Sequence, residues 1–258
     1  MRGISFFIFL IITSTAIAEE DPRFSISLGA FFTDRESQTR VDGESGRGTD
    51  VDLEDDLGLD KSDTVFRVDG YWRFAEKHRF DFSVFDLSRE SSKQIEREII
   101  WEDTTYPIDS TVETELDLAI YKLGYTWMFL KRDRSFLGAT VGLYIADIGA
   151  TLSASGGGSV ETNDLTAPLP VIGLRGEHRF ADRWAIRGSG EIFAVDYGDY
   201  EGSLYDVFVG LDFSVTKAIA VGVGINSVKL DVGVSKNSFQ GDVDWQYEGA
   251  LAYLKFDF

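Results

Sequence analysis

Apolar side chains recur at every second position in one segment after another. FSISLGA sets Phe24, Ile26, Leu28 and Ala30 against Ser25, Ser27 and Gly29, and VFRVDGYWRF sets Phe66, Val68, Gly70, Trp72 and Phe74 against Arg67, Asp69, Tyr71 and Arg73. Val207, Val209, Leu211, Phe213 and Val215 oppose Asp206, Gly210, Asp212 and Ser214, and Ile219, Val221, Val223 and Ile225 oppose Ala220, Gly222, Gly224 and Asn226. The chain closes on ALAYLKFDF, with Ala250, Ala252, Leu254, Phe256 and Phe258 on one parity. A period of two marks a strand whose faces meet different surroundings. No segment sustains a 3.6-residue stripe, so the pattern predicts an all-β chain.

The connections alternate as well. Short turns fall at 75–78, 131–134, 181–183 and 216–218, and longer polar stretches at roughly 42–62, 92–111, 156–166, 198–203 and 236–244. Short turns on one side and long loops on the other predict an up-and-down antiparallel transmembrane β-barrel of about ten strands, both termini on the short-turn side. Trp72, Phe74, Phe80, Trp127, Phe129, Phe136, Phe180 and Trp184 flank the short turns, where an interfacial girdle belongs. The segments 112–130 and 135–155 exceed the nine to eleven residues that cross hydrocarbon and are expected to project beyond it. Strict parity from Leu116 and Leu118 would place Lys122 in lipid, at about 2–4 kcal/mol at the midplane. A bulge near Ile120–Tyr121 is therefore expected, and a similar slip near Asn226–Val228. A soluble periplasmic sandwich or lipocalin-like barrel would use the same alternation with the apolar face turned inward.

The amino terminus carries Arg2, an apolar run from Ile4 to Ile12 and the small-residue site Ala16-Ile17-Ala18. That run is too short to span a bilayer and reads as a secretory signal peptide over 1–18, leaving a barrel domain over 19–258. An uncleaved interfacial anchor is the alternative. The chain has no cysteine, so an exported domain must be held without disulfides. Lys and Arg number 25 against 44 Asp and Glu, a formal net charge of −19 that argues against a nucleic-acid partner. Aromatic residues at 14% exclude a solvated acidic coil.

The leader, the alternating strands, the aromatic-flanked turns and a last strand ending on Phe258 resemble the small Gram-negative outer-membrane β-barrel proteins, in the company of the OmpA-type and OmpW-type barrels. TDVDLEDDLGLD (49–60) is similar to segments of uncharacterised outer-membrane barrels. The resemblance implies residence in the outer membrane as a monomer, with lipid and lipopolysaccharide as surroundings. It also implies that Leu254, Phe256 and Phe258 are read by the barrel-assembly machinery before they meet lipid.

Candidate chemistry lies mainly on the polar parity. Arg67, Asp69, Arg73, Asp81, Glu115, Asp117, Arg175, Glu177, Arg179, Arg187, Glu191, Asp212, Lys255 and Asp257 are expected to face a narrow lumen and to pair across it. Gly138, Gly142, Gly210, Gly222 and Gly224, if inward, leave room for a wet path or serve strand curvature. The two histidines, His78 and His178, sit beside short turns, away from the outer rim where the hydrolases of this architecture hold their general base. GGGSVE and RGSGE lack the strand-turn-helix context of a nucleophile elbow. DVDLEDD (50–56) concentrates oxygen ligands, but Asp55 stands where a calcium loop needs glycine, and a solvated acidic loop is the plainer reading. No metal or cofactor is expected. Two functions stay open: a non-enzymatic structural or surface-binding barrel, and a narrow channel for small solutes or cations.

Overall fold

The computed structural model describes residues 22–42, 48–101, 104–154, 160–197, 200–236 and 239–258. The expected signal peptide lies outside them. Fourteen strands follow in order: β1 (Phe24–Asp42), β2 (Val51–Asp52), β3 (Ser62–Ala75), β4 (His78–Asp86), β5 (Arg89–Gln94), β6 (Ile99–Trp101), β7 (Thr104–Tyr106), β8 (Thr111–Arg132), β9 (Ser135–Ala154), β10 (Val160–Arg179), β11 (Trp184–Tyr197), β12 (Tyr200–Ser214), β13 (Ile219–Lys236) and β14 (Phe239–Asp257). Sequential neighbours pair antiparallel around the wall, and β14 pairs with β1 from Ser25↔Asp257 to Asp42↔Gln240, which closes the sheet. Both β4 and β5 lie beside β8 and form one interrupted wall strand. The wall is a closed ten-stranded barrel, and the described residues form no helix. At the depth of β3 and β4 the closure leaves no open edge among the described residues, which helps to hold a chain without disulfides.

Alternation places an apolar band on the outside. Leu28, Phe66, Val141, Ile172, Val209, Val223, Ile225 and Leu254 all point outward, with Phe66 and Ile225 about two-thirds exposed (64% and 65%). On β1 the outward run lasts from Phe24 to Phe32, the nine or so residues that a tilted strand needs to cross hydrocarbon. At the end with short turns Phe74 stacks on Phe80 (5.1 Å) and His78 (6.0 Å), Tyr125 lies 5.9 Å from both His78 and Phe80, and Trp72 lies 5.8 Å from Phe74.

Above the band the polarity reverses while the parity does not. On β1 the exposed series runs from Phe32 to Asp34 and Glu36, while Phe31 and Arg35 are buried inside. On β8, Leu118 and Ile120 are buried inward and Glu113, Glu115 and Asp117 are exposed. The expected bulge at Ile120–Tyr121 is not formed: pairing with β9 continues from Val112↔Ala154 to Trp127↔Ala139, and the register shifts only between Trp127 and Leu130. The slip near Asn226–Val228 is not formed either, because β13 pairs without interruption with β12 and β14 through those residues. In both places the outer face has left the apolar layer and meets water, so polar side chains belong there. The inner face then packs a dry core, which receives Val228 and Leu230.

The same extension shortens the loops. The stretches 156–166, 198–203 and 236–244, read as loops, are mostly strand, since β10 starts at Val160, β12 at Tyr200 and β14 at Phe239. The two remaining long connections fold onto the barrel. Val51, Leu53, Leu57 and Leu59 pack with Ile95, Ile99, Trp101 and Tyr106 against Val112 and Leu152 of the wall. β3 begins only at Ser62, so above it the chain around β2 occupies the gap between β1 and β5. Gly58, at φ +77°, lets the chain turn back there.

Candidate functional site

The acidic segment 50–56 belongs to this ordered insert and is not a free loop. Glu54 is buried, accepts hydrogen bonds from the Ser37 backbone N–H (2.9 Å) and from Arg89 Nη1 (2.6 Å), and so anchors the insert to β1 and β5. Asp52 accepts from the Asp55 N–H (2.6 Å), and Asp56 from the Asp52 N–H (2.9 Å) and Arg97 Nε (2.9 Å). Partial burial alone would raise the Asp56 pKa, but the Arg97 hydrogen bond and the Asp52 N–H outweigh it and hold the carboxyl below its ordinary range. The carboxylates are taken up by the chain itself. Among the described residues no three His, Cys, Asp or Glu side chains are grouped to hold a metal.

At the depth of the apolar band the interior is ionic. Arg67 of β3 forks onto Asp69 (2.9–3.0 Å) and donates from Nη1 to Asn226 Oδ1 on β13 (2.6 Å). Asn226 Nδ2 donates to Asp206 of β12 (2.6 Å), and Asp206 also pairs with Lys122 of β8. Strands β8 and β12 stand on opposite sides of the barrel, so this chain of contacts bridges the lumen. Toward the short turns, Asp81 binds Arg79 (3.0 Å), accepts from Thr126 (2.6 Å) and faces Arg175, which pairs with Glu191 (2.8 Å). Asp212 lies between Arg187 (3.5 Å), Lys255 (3.6 Å) and the Tyr253 hydroxyl. A cavity of about 80 Å³ among these groups is room for a few waters.

An aromatic and aliphatic layer lies above the charges. Phe31, Phe85, Tyr144, Leu169, Leu204 and Tyr247, from strands all around the wall, form one buried cluster. Phe31 meets Phe85 and Tyr247 edge to face at 6.2 and 6.1 Å. Cations cap its lower side: the Arg67 guanidinium is 4.9 Å from the Phe85 ring centre, and Lys122 Nζ is 4.3 Å from that of Tyr144. Gly142 lines the small cavity, but Gly210 and Gly222 leave no path. A Cβ on Gly222 would fall 2.1 Å from the Tyr253 ring, and one on Gly210 2.7 Å from Phe208, so these rings occupy the space the glycines vacate.

The residues expected in the lumen divide accordingly. Arg67, Asp69, Asp81, Arg175, Arg187, Glu191, Asp212 and Lys255 meet inside the barrel. Arg73, Glu177 and Arg179 stand at its short-turn mouth. Glu115 and Asp117 are on the exposed outer face of β8, above the band, which corrects their expected place. Lys122, Arg79 and Asn226 were not expected there. Unbroken parity along β8 would have found Lys122. Both histidines lie by short turns, with His78 Nδ1 2.6 Å from the Tyr125 hydroxyl and His178 Nδ1 2.8 Å from Ser135 Oγ.

An edgeless barrel with an apolar outer band, an aromatic belt and an ionic interior at the same depth fits a bilayer. The chain is an outer-membrane β-barrel. Its fold is similar to that of the outer-membrane protease OmpT from Escherichia coli, with a TM-score of 0.60 at 14% identity over 95% of this chain and 99% of that one. Looser similarities reach Ail of Yersinia pestis (TM-score 0.36, 13% identity, 91% and 99% covered) and the toluene transporter TodX of Pseudomonas putida (0.36, 10%, 93% and 91%). At 14% identity the OmpT likeness speaks to the fold alone. No protein-family model and no curated protein matches the chain. By the rule that such barrels turn their short connections to the periplasm, the short turns and the adjoining ends of β1 and β14 are assigned there and the reversed-polarity half to the outside.

Proposed function

We propose that the protein is a closed, non-enzymatic barrel whose work is structural and surface-binding, done by its extracellular extension. The observation that carries this reading is the buried cluster of Phe31, Phe85, Tyr144, Leu169, Leu204 and Tyr247 lying across the lumen directly above the paired charges. A conducting pore needs a continuous wet path, and here a dry layer interrupts it. Catalysis at the outer rim lacks a histidine base, since both histidines of the chain are periplasmic.

The extension presents exposed Asp34, Glu36, Asp86, Glu115, Asp117, Asp147 and Glu248 just above the apolar band. Such a collar suits cationic partners, or lipopolysaccharide phosphates joined to it through divalent cations. Leu254, Phe256 and Phe258 line the outer side of β14 at the closing seam, where the Arg23 N–H donates to the Phe258 carbonyl (2.8 Å), and we assign them the contact with the barrel-assembly machinery. Reconstitution into planar bilayers tests the closed reading: no conductance steps are expected from the native protein. Steady ion-selective steps would favour the channel, and hydrolysis of peptide or lipid by the purified barrel would favour an enzyme.

A further inference from the structure

The periplasmic mouth differs from the rest of the molecule in charge. A cavity of about 50 Å³ opens there between Pro22 and the β8–β9 turn. Lys131 and Arg132 at the end of β8 and Arg134 of that turn line it, with Arg73 and Arg179 on the walls and Arg79 and Lys255 at its inner end. Only Asp133 and Glu177 line it with the opposite sign. A cationic pocket of this density is the reverse of what a chain of net charge −19 supplies on average.

The inner end is shut. Arg79 is held by Asp81 at 3.0 Å and lies between the Tyr71 and Phe136 rings, 4.6 Å from each centre, and Lys255 is engaged by Asp212 and Asp257 at 3.6 Å. Arg134 pairs with Asp182 outside the pocket (2.8 Å). Arg132 and Arg179 make no ion pair among the described residues, and the Arg179 backbone is fixed by its N–H donating to the Arg134 carbonyl (2.8 Å). The result is a blind pocket facing the periplasm, with two guanidinium groups left over at its opening.

We infer that this vestibule is an oxyanion site that takes a phosphate group from the periplasmic side, in addition to any role of the extracellular half. Guanidinium forks match phosphate oxygens two at a time, and the surrounding cations would raise the local anion concentration. The charged and aromatic floor keeps the ligand from passing inward, so the site is one of binding and not of transport. The phosphate is either a free anion or the headgroup of an anionic lipid of the inner leaflet.

The test is titration of inorganic phosphate into the full barrel in nanodiscs of zwitterionic lipid, read by calorimetry and phosphorus NMR, and repeated in discs containing phosphatidylglycerol. Saturable binding is expected in the zwitterionic discs. It should weaken about tenfold or more in Arg132→Gln/Arg179→Gln and stay unchanged in Arg183→Gln/Lys217→Gln, which removes two periplasmic charges outside the vestibule. If the headgroup is the natural source, phosphatidylglycerol competes with phosphate and co-purifies with the native protein but not with the vestibule variant. If a free anion is the source, the lipid makes no difference. Heat-modifiability on gels verifies that each variant is folded. Two results would overturn the inference: no saturable binding in zwitterionic discs, or equal weakening by the control pair.

Discussion

The lower and upper halves of this barrel are built from the same strands on opposite principles. In the lower half Leu28, Val209 and Leu254 face out while Arg67, Asp206 and Asp212 are buried inside. In the upper half Glu36, Glu115 and Asp117 face out while Leu118, Leu204 and Leu230 are buried inside. No strand changes parity at the crossing on β8 or β13; only the surrounding medium changes. Alternation therefore reports that two faces differ, and the solvent outside decides which kind of residue goes where. The membrane barrel and the inside-out soluble barrel, alternatives at the level of sequence, each describe one half of this molecule.

Substitutions and a change of pH separate the halves, from the largest effect to the smallest. Asp206→Ala leaves Lys122 and Asn226 without their partner in the lower interior. A loss of about 3–5 kcal/mol is expected in denaturant unfolding from micelles, because an uncompensated charge remains buried. Leu28→Arg puts a cation in the middle of the lipid-facing run of β1 and is expected to cost about 2–4 kcal/mol in reversible folding into bilayers. The same change at Glu36, two turns of the pleat above the band, should cost less than about 0.5 kcal/mol, and the contrast between the two is the informative quantity.

Acid is expected to act on the upper half first. The Asp56 carboxyl has a lowered pKa in the folded chain, so its contribution is present above the ordinary carboxylate value and is lost as pH falls through the depressed one. Hydrogen exchange in 51–60 should therefore rise below about pH 4 while amides of the apolar band stay protected. Glu115→Ala with Asp117→Ala should be the mildest change, within about 0.5 kcal/mol, since both side chains stand in water. A loss of several kcal/mol there would mean that they are buried among lumenal charges after all.

The barrel, its approximate strand number and the side on which the turns are short were legible because each rests on local alternation and connection length. The interior pairs of Arg67, Asp81, Arg175 and Asp212 were legible as parity but not as partners, since Arg67 meets Asn226 from three strands away around the wall. Lys122 was misread because the outer face was required to be apolar along the whole of β8. That requirement ends where the strand leaves the membrane, at Ala119 and Asp117. The insert around Glu54 was hidden because its carboxylates look solvated until Arg89, thirty-five residues later, is brought against them. Leu53 and Leu57, spaced between the acids, were the available signal that one side of the segment is buried.

Single cysteines along β8, in a chain that has none of its own, test the reversal most directly. Glu115→Cys should react with a membrane-impermeant maleimide on intact cells, Leu118→Cys should stay unreactive, and Leu123→Cys should report a lipid environment through quenching by lipid-bound nitroxide. Protection of Glu115→Cys together with lipid contact at Leu118→Cys would contradict the continuous register and the two-medium barrel built on it.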